Sequence, residues 1–117
     1  MEIRNKYGVK VGDIFHSVWG YNMINHDFYK VIRLKGTTQV VVRRLKTINT
    51  SDDGYGQCGW LKMVDEFDEN PHFNEEIIKK VLLDYNSTQK IKITEWQTAY
   101  IMPKEKYDDK FYFDYLD

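Results

Sequence analysis

The sequence predicts a mainly β protein, a small SH3-like or strongly bent antiparallel barrel with one or two short helical segments. Short runs of β-branched and aromatic residues recur along the chain, and glycine, asparagine and aspartate separate them. Turn signals at roughly 8–12-residue spacing are typical of small barrels and sandwiches. No internal repeat or linker interrupts the 117 residues, so we expect residues 1–117 to form a single domain.

The firmest element is an antiparallel meander over 12–48. Strands are expected over 13–19 and 27–34, because alternating β-branched and aromatic residues suit half-buried strands. Gly36 can adopt the positive φ of a tight hairpin turn before a third strand over 38–48. In the second strand, strict alternation predicts two faces: Phe28, Lys30, Ile32 and Leu34 on one, and Tyr29, Val31 and Arg33 on the other.

The middle of the chain has a less regular pattern. Residues 49–59 carry three glycines and are expected to form a Gly-rich loop, followed by a short strand over 60–64. Residues 65–74 contain four acids before Pro71 and predict an acidic, solvated connection.

Residues 75–85 fit two predictions. Asn74 is a good N-cap, and apolar residues then recur at helical spacing. The segment from Val81 onward also reads as strand, turn and strand. A short helical turn that gives way to a strand near Lys80 would satisfy both patterns.

The last third of the chain predicts C-terminal strands over 80–116. Residues 91–94 alternate as a strand does. Residues 94–100 are expected to begin a short helix that Pro103 ends, because proline cannot continue a helix. Residues 110–116 carry four aromatic side chains and predict a final strand.

Charge is segregated along the chain, although the net charge is −1. Residues 1–50 hold nine basic and three acidic side chains, whereas residues 51–117 hold eight and fifteen. Either the basic half faces an acidic partner, or the two halves meet in the fold and neutralise each other. The basic hairpin comprises Lys30, Arg33, Lys35, Arg43, Arg44 and Lys46.

Neither catalysis nor a metal or other cofactor is expected. The candidate ligands and nucleophiles lack the paired spacing of metal sites, and they are His16, His26, His72 and Cys58. His26 and Asp27 are adjacent on a strand, so their side chains should point to opposite faces rather than pair. No phosphate-binding glycine loop or nucleophile-elbow motif is present.

The sequence predicts a protein that does not associate with membranes. No apolar run approaches the roughly 20 residues needed to cross a bilayer. The N-terminus lacks the apolar region of a signal peptide, and a single cysteine, Cys58, fits a reducing compartment. We therefore expect a cytoplasmic protein.

Single-stranded nucleic acid is one candidate partner. The basic hairpin could neutralise phosphates while Tyr21 and Tyr29 stack on bases, as small β-domains do. However, the pI of about 6.3 is low for such a protein, and no RNP-like signature occurs.

A protein partner is the leading hypothesis. Tryptophan and tyrosine are enriched at protein interfaces, and this chain has three of the former and nine of the latter. The acidic tail over 107–117 could dock on a basic protein surface, or on the basic hairpin of a second copy. Its aromatic residues could equally close the barrel.

The densest window is SVWGYNMINHDFYKV, residues 17–31, around a polar loop expected over 20–26. Its rings can pair across neighbouring strands, and its asparagines can hold the loop through backbone hydrogen bonds. The window could therefore be a binding surface or a structural corner. The candidate binding residues are Trp19, Tyr21, Asn22, Asn25, Asp27 and Tyr29.

The same window resembles a family of small proteins encoded by phages, plasmids and other mobile elements. The family motif reads approximately G-D-I, then S-x-W-G-Y-[DN]-x-x-N-x-D-F-Y-x-V, and it matches residues 12–31. Two further segments are similar: a hairpin strand ending at Arg43, and I-K-I-[ST]-[ED]-x-x-x-A from Ile91 to Ala99. The acidic tail departs from the family pattern.

The resemblance implies that the protein originates from a mobile element, but it implies no enzymatic activity, since the family provides no catalytic residues. It implies an accessory protein in a bacterial cytoplasm that binds a host or phage protein, for example an inhibitor of a host or defence factor. It also favours an extended chain over 80–85.

Overall fold

The protein is mainly β, in a computed structural model that describes residues 3–19, 24–52, 58–70 and 75–114. All strand pairs within these ranges are antiparallel. The strands are β1 (Ile14–Trp19), β2 (Asn25–Lys35), β3 (Gln39–Asp52), β4 (Cys58–Phe67), β5 (Ile77–Lys80), β6 (Leu82–Leu83), β7 (Gln89–Thr94), β8 (Gln97–Ile101) and β9 (Phe111–Asp114).

The strands form one curled sheet in the order β6-β7-β8-β1-β2-β3-β4-β9, which makes a half-barrel. The 14-residue strand β3 is shared between two parts of it. Its first residues, Gln39 to Val42, pair with β2 on one side and with β5 on the other. Its later residues, from Leu45 to Asp52, pair with β4, which in turn pairs with β9. The expected bent antiparallel barrel is therefore confirmed at the level of fold class.

The sheet has a hydrophobic core on each face, because residues of alternate parity on β1, β2 and β3 are apolar. The inner core fills the half-barrel and contains Val9, Phe15, Tyr29, Val31, Val40, Val42, Val81, Ile91 and Ala99. The outer core lies under β4 and β9 and contains Ile14, Phe28, Leu45, Leu61, Met63, Met102 and Phe113. Neighbours in sequence, such as Ile14 and Phe15, thus belong to different cores.

The meander over 12–48 is confirmed, with one correction inside the second strand. Gly36 has φ +62° in the turn between β2 and β3, as the hairpin requires. The register shifts between Val31 and Arg33, which makes Ile32 the extra residue of a β-bulge. The bulge reverses the alternation, so that Leu34 packs on the inner core with Val31. The predicted grouping of Leu34 with Phe28 is therefore wrong.

The Gly-rich loop and the acidic connection are both shorter than expected. β3 continues to Asp52 and β4 begins at Cys58, so the predicted loop over 49–59 is wrong at both ends, and 53–57 lie outside the described residues. Residues 65–67 belong to β4, where Phe67 pairs with Leu45. Asp65 and Glu66 lie in the register shift between this pair and the pair of Thr47 and Met63, so only Phe67 continues the ladder along β3.

Of the two alternatives for 75–85 the strand is confirmed, and the helix predicted over 94–100 is wrong. The edge of β3 exposes backbone groups at Val40 to Val42, and β5 hydrogen-bonds to them instead of coiling. Residues 94–100 form a hairpin in which Thr94 pairs with Gln97, and β8 follows directly. Helical content in the described ranges is one 3-10 turn, Lys104–Lys106, which follows Pro103. The predicted final strand is confirmed as β9, within the residues described.

Candidate functional site

A pocket of about 420 Å³ opens at the end of the half-barrel, above the inner core. Its volume falls within the roughly 300–1,000 Å³ typical of ligand pockets. Residues from six strands line it, and strand register brings three of these strands together at its floor. The partner of Asp27 on β1 is Ser17, two residues from Trp19, and the partner of Ser17 on β8 is Ala99, two residues from Gln97. The lining residues are Trp19, Asp27, Tyr29, Arg44, Glu75, Ile77, Ile93, Thr94 and Gln97.

Asp27 is the centre of the pocket floor and is 5% exposed. One oxygen, Oδ2, accepts hydrogen bonds from the indole Nε1 of Trp19 at 2.7 Å and from Nε2 of Gln97 at 2.9 Å. The other, Oδ1, lies 2.8 Å from Nη2 of Arg44. A buried carboxylate is tolerated only when it is paired and hydrogen-bonded, and here three donors from three strands meet that need.

Tyr29 extends the same network and belongs to the inner core. Burial, and secondarily the negative charge of Asp27, raise the pKa of its phenol to about 12. The positive charge of Arg44, and then a hydrogen bond to Gln97, oppose this rise of the pKa only in part. The phenol therefore stays protonated at neutral pH, and the floor of the pocket is a fixed set of dipoles around one ion pair.

The walls above this floor are apolar on two sides. Ile77 on β5 and Ile93 on β7 are half-buried and pack against the inner core. Trp19 closes a third side and remains 40% exposed, although its indole nitrogen is bonded to Asp27. The pocket can therefore hold a group that packs on aliphatic and aromatic side chains above a polar floor.

The structure brings three of the six candidate binding residues into this pocket: Trp19, Asp27 and Tyr29. Asn25 pairs with Trp19 at the start of β2, and its amide nitrogen is buried without an acceptor among the described residues, but it does not line the pocket. Tyr21 and Asn22 lie outside the described residues. The expected polar loop over 20–26 is shorter than predicted, because β2 already begins at Asn25.

Sequence reasoning missed the partners that complete the floor. The sequence pattern predicts Arg44 as part of the basic hairpin and Gln97 as part of a helix. The alternation of β8 held the signal for Gln97, because Ala99, on the same face two residues later, is small, apolar and fully buried. Ile77 and Ile93 become neighbours only through the curl of the sheet.

The basic hairpin is largely neutralised by the acidic half of the chain. Lys30 lies 2.6 Å from Asp65, and Arg33 binds Glu76 through two hydrogen bonds of 3.0 and 3.2 Å. Lys46 lies 3.8 Å from Glu66 and 3.7 Å from Glu69. These contacts, with the pair of Arg44 and Asp68 at 3.7 Å, confirm that the two halves of the sequence meet and neutralise each other at these positions.

The two other members of the hairpin differ from these four. The Arg43 guanidinium carbon lies 4.4 Å from the ring centroid of Phe67, a cation–π contact. Lys35 is exposed beside the turn at Gly36.

The Arg33–Glu76 pair also shifts the pKa values of its two members. Hydrogen bonding to Glu76 raises the pKa of Arg33, and the same contact lowers the pKa of Glu76.

A histidine cluster lies on the opposite face of the sheet from Asp27, as alternation along β2 requires. His16 Nε2 is 2.9 Å from His26 Nδ1, and the His16 ring stacks on Phe28 with centroids 4.6 Å apart. The ring of Phe111 packs on both histidines. His26 also hydrogen-bonds through Nε2 to the carbonyl of Tyr112, which can only accept. The histidine cluster therefore ties β1 and β2 to β9.

Burial lowers the pKa of both histidines. His16 falls to about 4, through burial first and then through the charges of His26 and Lys106. For His26, burial lowers the pKa more than the Tyr112 carbonyl and Asp27 raise it. With both rings neutral, the Nε2–H of His26 donates to Tyr112, so the Nε2–H of His16 donates to His26. Across the described ranges, no group of three or more His, Cys, Asp and Glu side chains is arranged to hold a metal ion.

Comparisons with protein-family models, with curated proteins and with solved structures give no match to this chain. No helix in the described part of the chain is long and apolar enough to cross a bilayer.

Proposed function

We propose that this chain is a non-catalytic protein-binding module, an accessory protein of a phage or other mobile element that acts in the bacterial cytoplasm on a host or phage protein. The observation that carries the proposal is the pocket formed by Trp19, Asp27, Tyr29, Arg44 and Gln97. It is a concave site with apolar walls and a small number of fixed polar groups, which is the usual form of a recognition pocket.

The polar floor supports binding rather than chemistry. Asp27 already accepts hydrogen bonds from Trp19 and Gln97 and pairs with Arg44, so its carboxylate is held by three donors. The raised pKa of Tyr29 keeps its phenol from acting as a base near neutral pH. These groups serve to orient a guest and to exclude water.

The resemblance of residues 12–31 to mobile-element proteins supports the assignment of a cytoplasmic accessory role. A protein that blocks a host or defence factor needs only a shaped surface. Trp19, with its ring 40% exposed at the pocket mouth, is the kind of residue that dominates such interfaces.

Single-stranded nucleic acid is the weaker candidate. Phosphates would have to displace Asp65 from Lys30 and Glu76 from Arg33, and the pairs of Arg44 and Lys46 would have to open as well. The ion pairs therefore favour a protein partner.

The test is capture of bacterial lysate proteins on the immobilised chain, comparing the unmodified protein with Trp19→Ala. Trp96→Ala is the matched control, because Trp96 is 89% exposed in the β7–β8 turn and does not line the pocket, although it neighbours the lining residue Gln97. We expect specific proteins to be retained by the unmodified chain and by Trp96→Ala and lost with Trp19→Ala. Circular dichroism checks that Trp19→Ala is folded. Equal retention by all three would overturn the assignment of the pocket as the binding site.

A further inference from the structure

The charge of the pocket is negative, which restricts what it can receive. Arg44 is the cation of the lining, and two carboxylates share it: Asp27 at 2.8 Å and Asp68 at 3.7 Å. Glu75 adds a third carboxylate at the rim. Among the described residues Glu75 has no ion-pair partner, unlike its neighbour Glu76, which is held by Arg33.

An anionic guest is therefore disfavoured. It would meet Glu75 at the rim, and the guanidinium of Arg44 is already matched by carboxylates on both sides. A wholly apolar guest would leave the carboxylate of Glu75 facing it without compensation. A cationic guest would be attracted both by the Glu75 carboxylate at the rim and by the net negative charge of the lining.

The walls favour a cation carried on a long apolar stem. Ile77 and Ile93 offer aliphatic contact, and the indole of Trp19 offers an aromatic face for a planar cation. The guanidinium group of arginine stacks on aromatic rings and forms bidentate hydrogen bonds with carboxylates, whereas the ammonium group of lysine is a compact and strongly hydrated charge. A volume of about 420 Å³ lies at the small end of ligand pockets and suits a single side chain rather than a folded segment.

We propose that the pocket receives an arginine side chain of the partner protein, with its methylene stem on Ile77 and Ile93, and its guanidinium between the Trp19 indole and the Glu75 carboxylate. This inference rests on the proposed function and identifies the chemistry of its partner. In this proposal Trp19 and Glu75 select arginine over other side chains, and Asp27 holds the Trp19 ring in place through its hydrogen bond.

The experiment is a titration of the 15N-labelled protein with four short peptides that are identical except for one central residue: arginine, lysine, norleucine or glutamate. The tryptophan indole N–H signals are the reporters, because Trp19 lines the pocket whereas Trp60 lies on β4, which contributes no residue to the lining. We expect the arginine peptide to shift the Trp19 signal saturably and to bind about tenfold more tightly than norleucine, from the combined cation–π and ion-pair contributions. The Trp60 signal should not move.

Glu75→Gln tests the rim directly, and the exposed Glu95→Gln in the β7–β8 turn is its matched control. We expect Glu75→Gln to reduce arginine affinity toward that of norleucine, with norleucine unchanged and Glu95→Gln without effect. Equal binding of norleucine, preference for glutamate, or no shift of Trp19 with any peptide would each overturn the arginine assignment. The lysate experiment separates the two proposals, because the module would still lose its partner with Trp19→Ala if the guest were another side chain.

Discussion

Arg44 on β3 and Asp27 on β2 form a 2.8 Å ion pair in the floor of the pocket, and the Asp27 side of this pair is almost fully buried. The same carboxylate orients Trp19, so one residue couples the charge of the floor to the aromatic wall.

Replacing Asp27 with Asn should destabilise the fold by about 2 kcal/mol, because the neutral amide cannot serve as acceptor for all three donors and removes the carboxylate that lies 2.8 Å from Arg44. Urea unfolding monitored by tryptophan fluorescence measures this loss. Asp65→Asn is the control, since Asp65 is exposed and its pair with Lys30 should contribute less than about 1 kcal/mol. Equal effects of the two variants would contradict the central role of Asp27.

The histidine cluster should make stability depend on pH. Since the folded pKa of His16 is lowered from 6.5 to about 4, the unfolded chain binds more protons between these values. Stability is therefore fully present above pH 6.5 and decreases as pH falls toward 4. In His16→Phe this loss should be shallower, because one of the two titrating rings is gone. Urea midpoints across this range for both proteins give the comparison, and parallel pH profiles would contradict it.

The inner core should tolerate truncation poorly. Phe15 is fully buried within it, and Phe15→Ala should lower the free energy of unfolding by about 3–5 kcal/mol through lost burial and a residual cavity. Trp96→Ala removes a larger side chain that is 89% exposed, and it should change stability by no more than about 0.5 kcal/mol. Thermal and urea unfolding of both variants test the contrast. A comparable loss in both would be inconsistent with the placement of these two rings.

Nucleic acid should bind weakly or not at all. Fluorescence polarisation with labelled single- and double-stranded DNA and RNA at two salt concentrations measures any affinity and its salt dependence. Because Arg33 and Arg44 already face carboxylates, we expect no micromolar binding at either concentration. Salt-sensitive micromolar binding that is abolished by charge reversal at Arg33, Arg43 and Arg44 would instead establish the basic hairpin as the working surface.

The meander was predictable because its determinants are local. Alternation specified the strands, and Gly36 specified the turn. The bulge at Ile32 was not predictable, since it depends on how β2 meets β3. The helical spacing over 75–85 was real, but the unpaired edge of β3 offered backbone partners, and the chain extended to use them.

The candidate site was half predictable for the same reason. Trp19, Asp27 and Tyr29 lie close in sequence and share one face of a hairpin, so local alternation brings them together. Arg44 and Gln97 reach the pocket through strand register, which the sequence pattern leaves open. The segregated charge suggested a basic surface, yet it is largely balanced by pairing between distant segments.

Because β3 pairs with β2 along one part and with β4 along the other, the chain cannot be divided into fragments that keep the pocket intact. Arg44 stands where the part of β3 paired with β2 meets the part paired with β4, and its carbonyl accepts a hydrogen bond from the backbone of Asp68 just after β4. A fragment without β4 would lose that anchor and the second carboxylate on Arg44 together. The pocket therefore cannot be transferred to another protein, or kept in a shortened chain, unless β4 and Asp68 are retained with it.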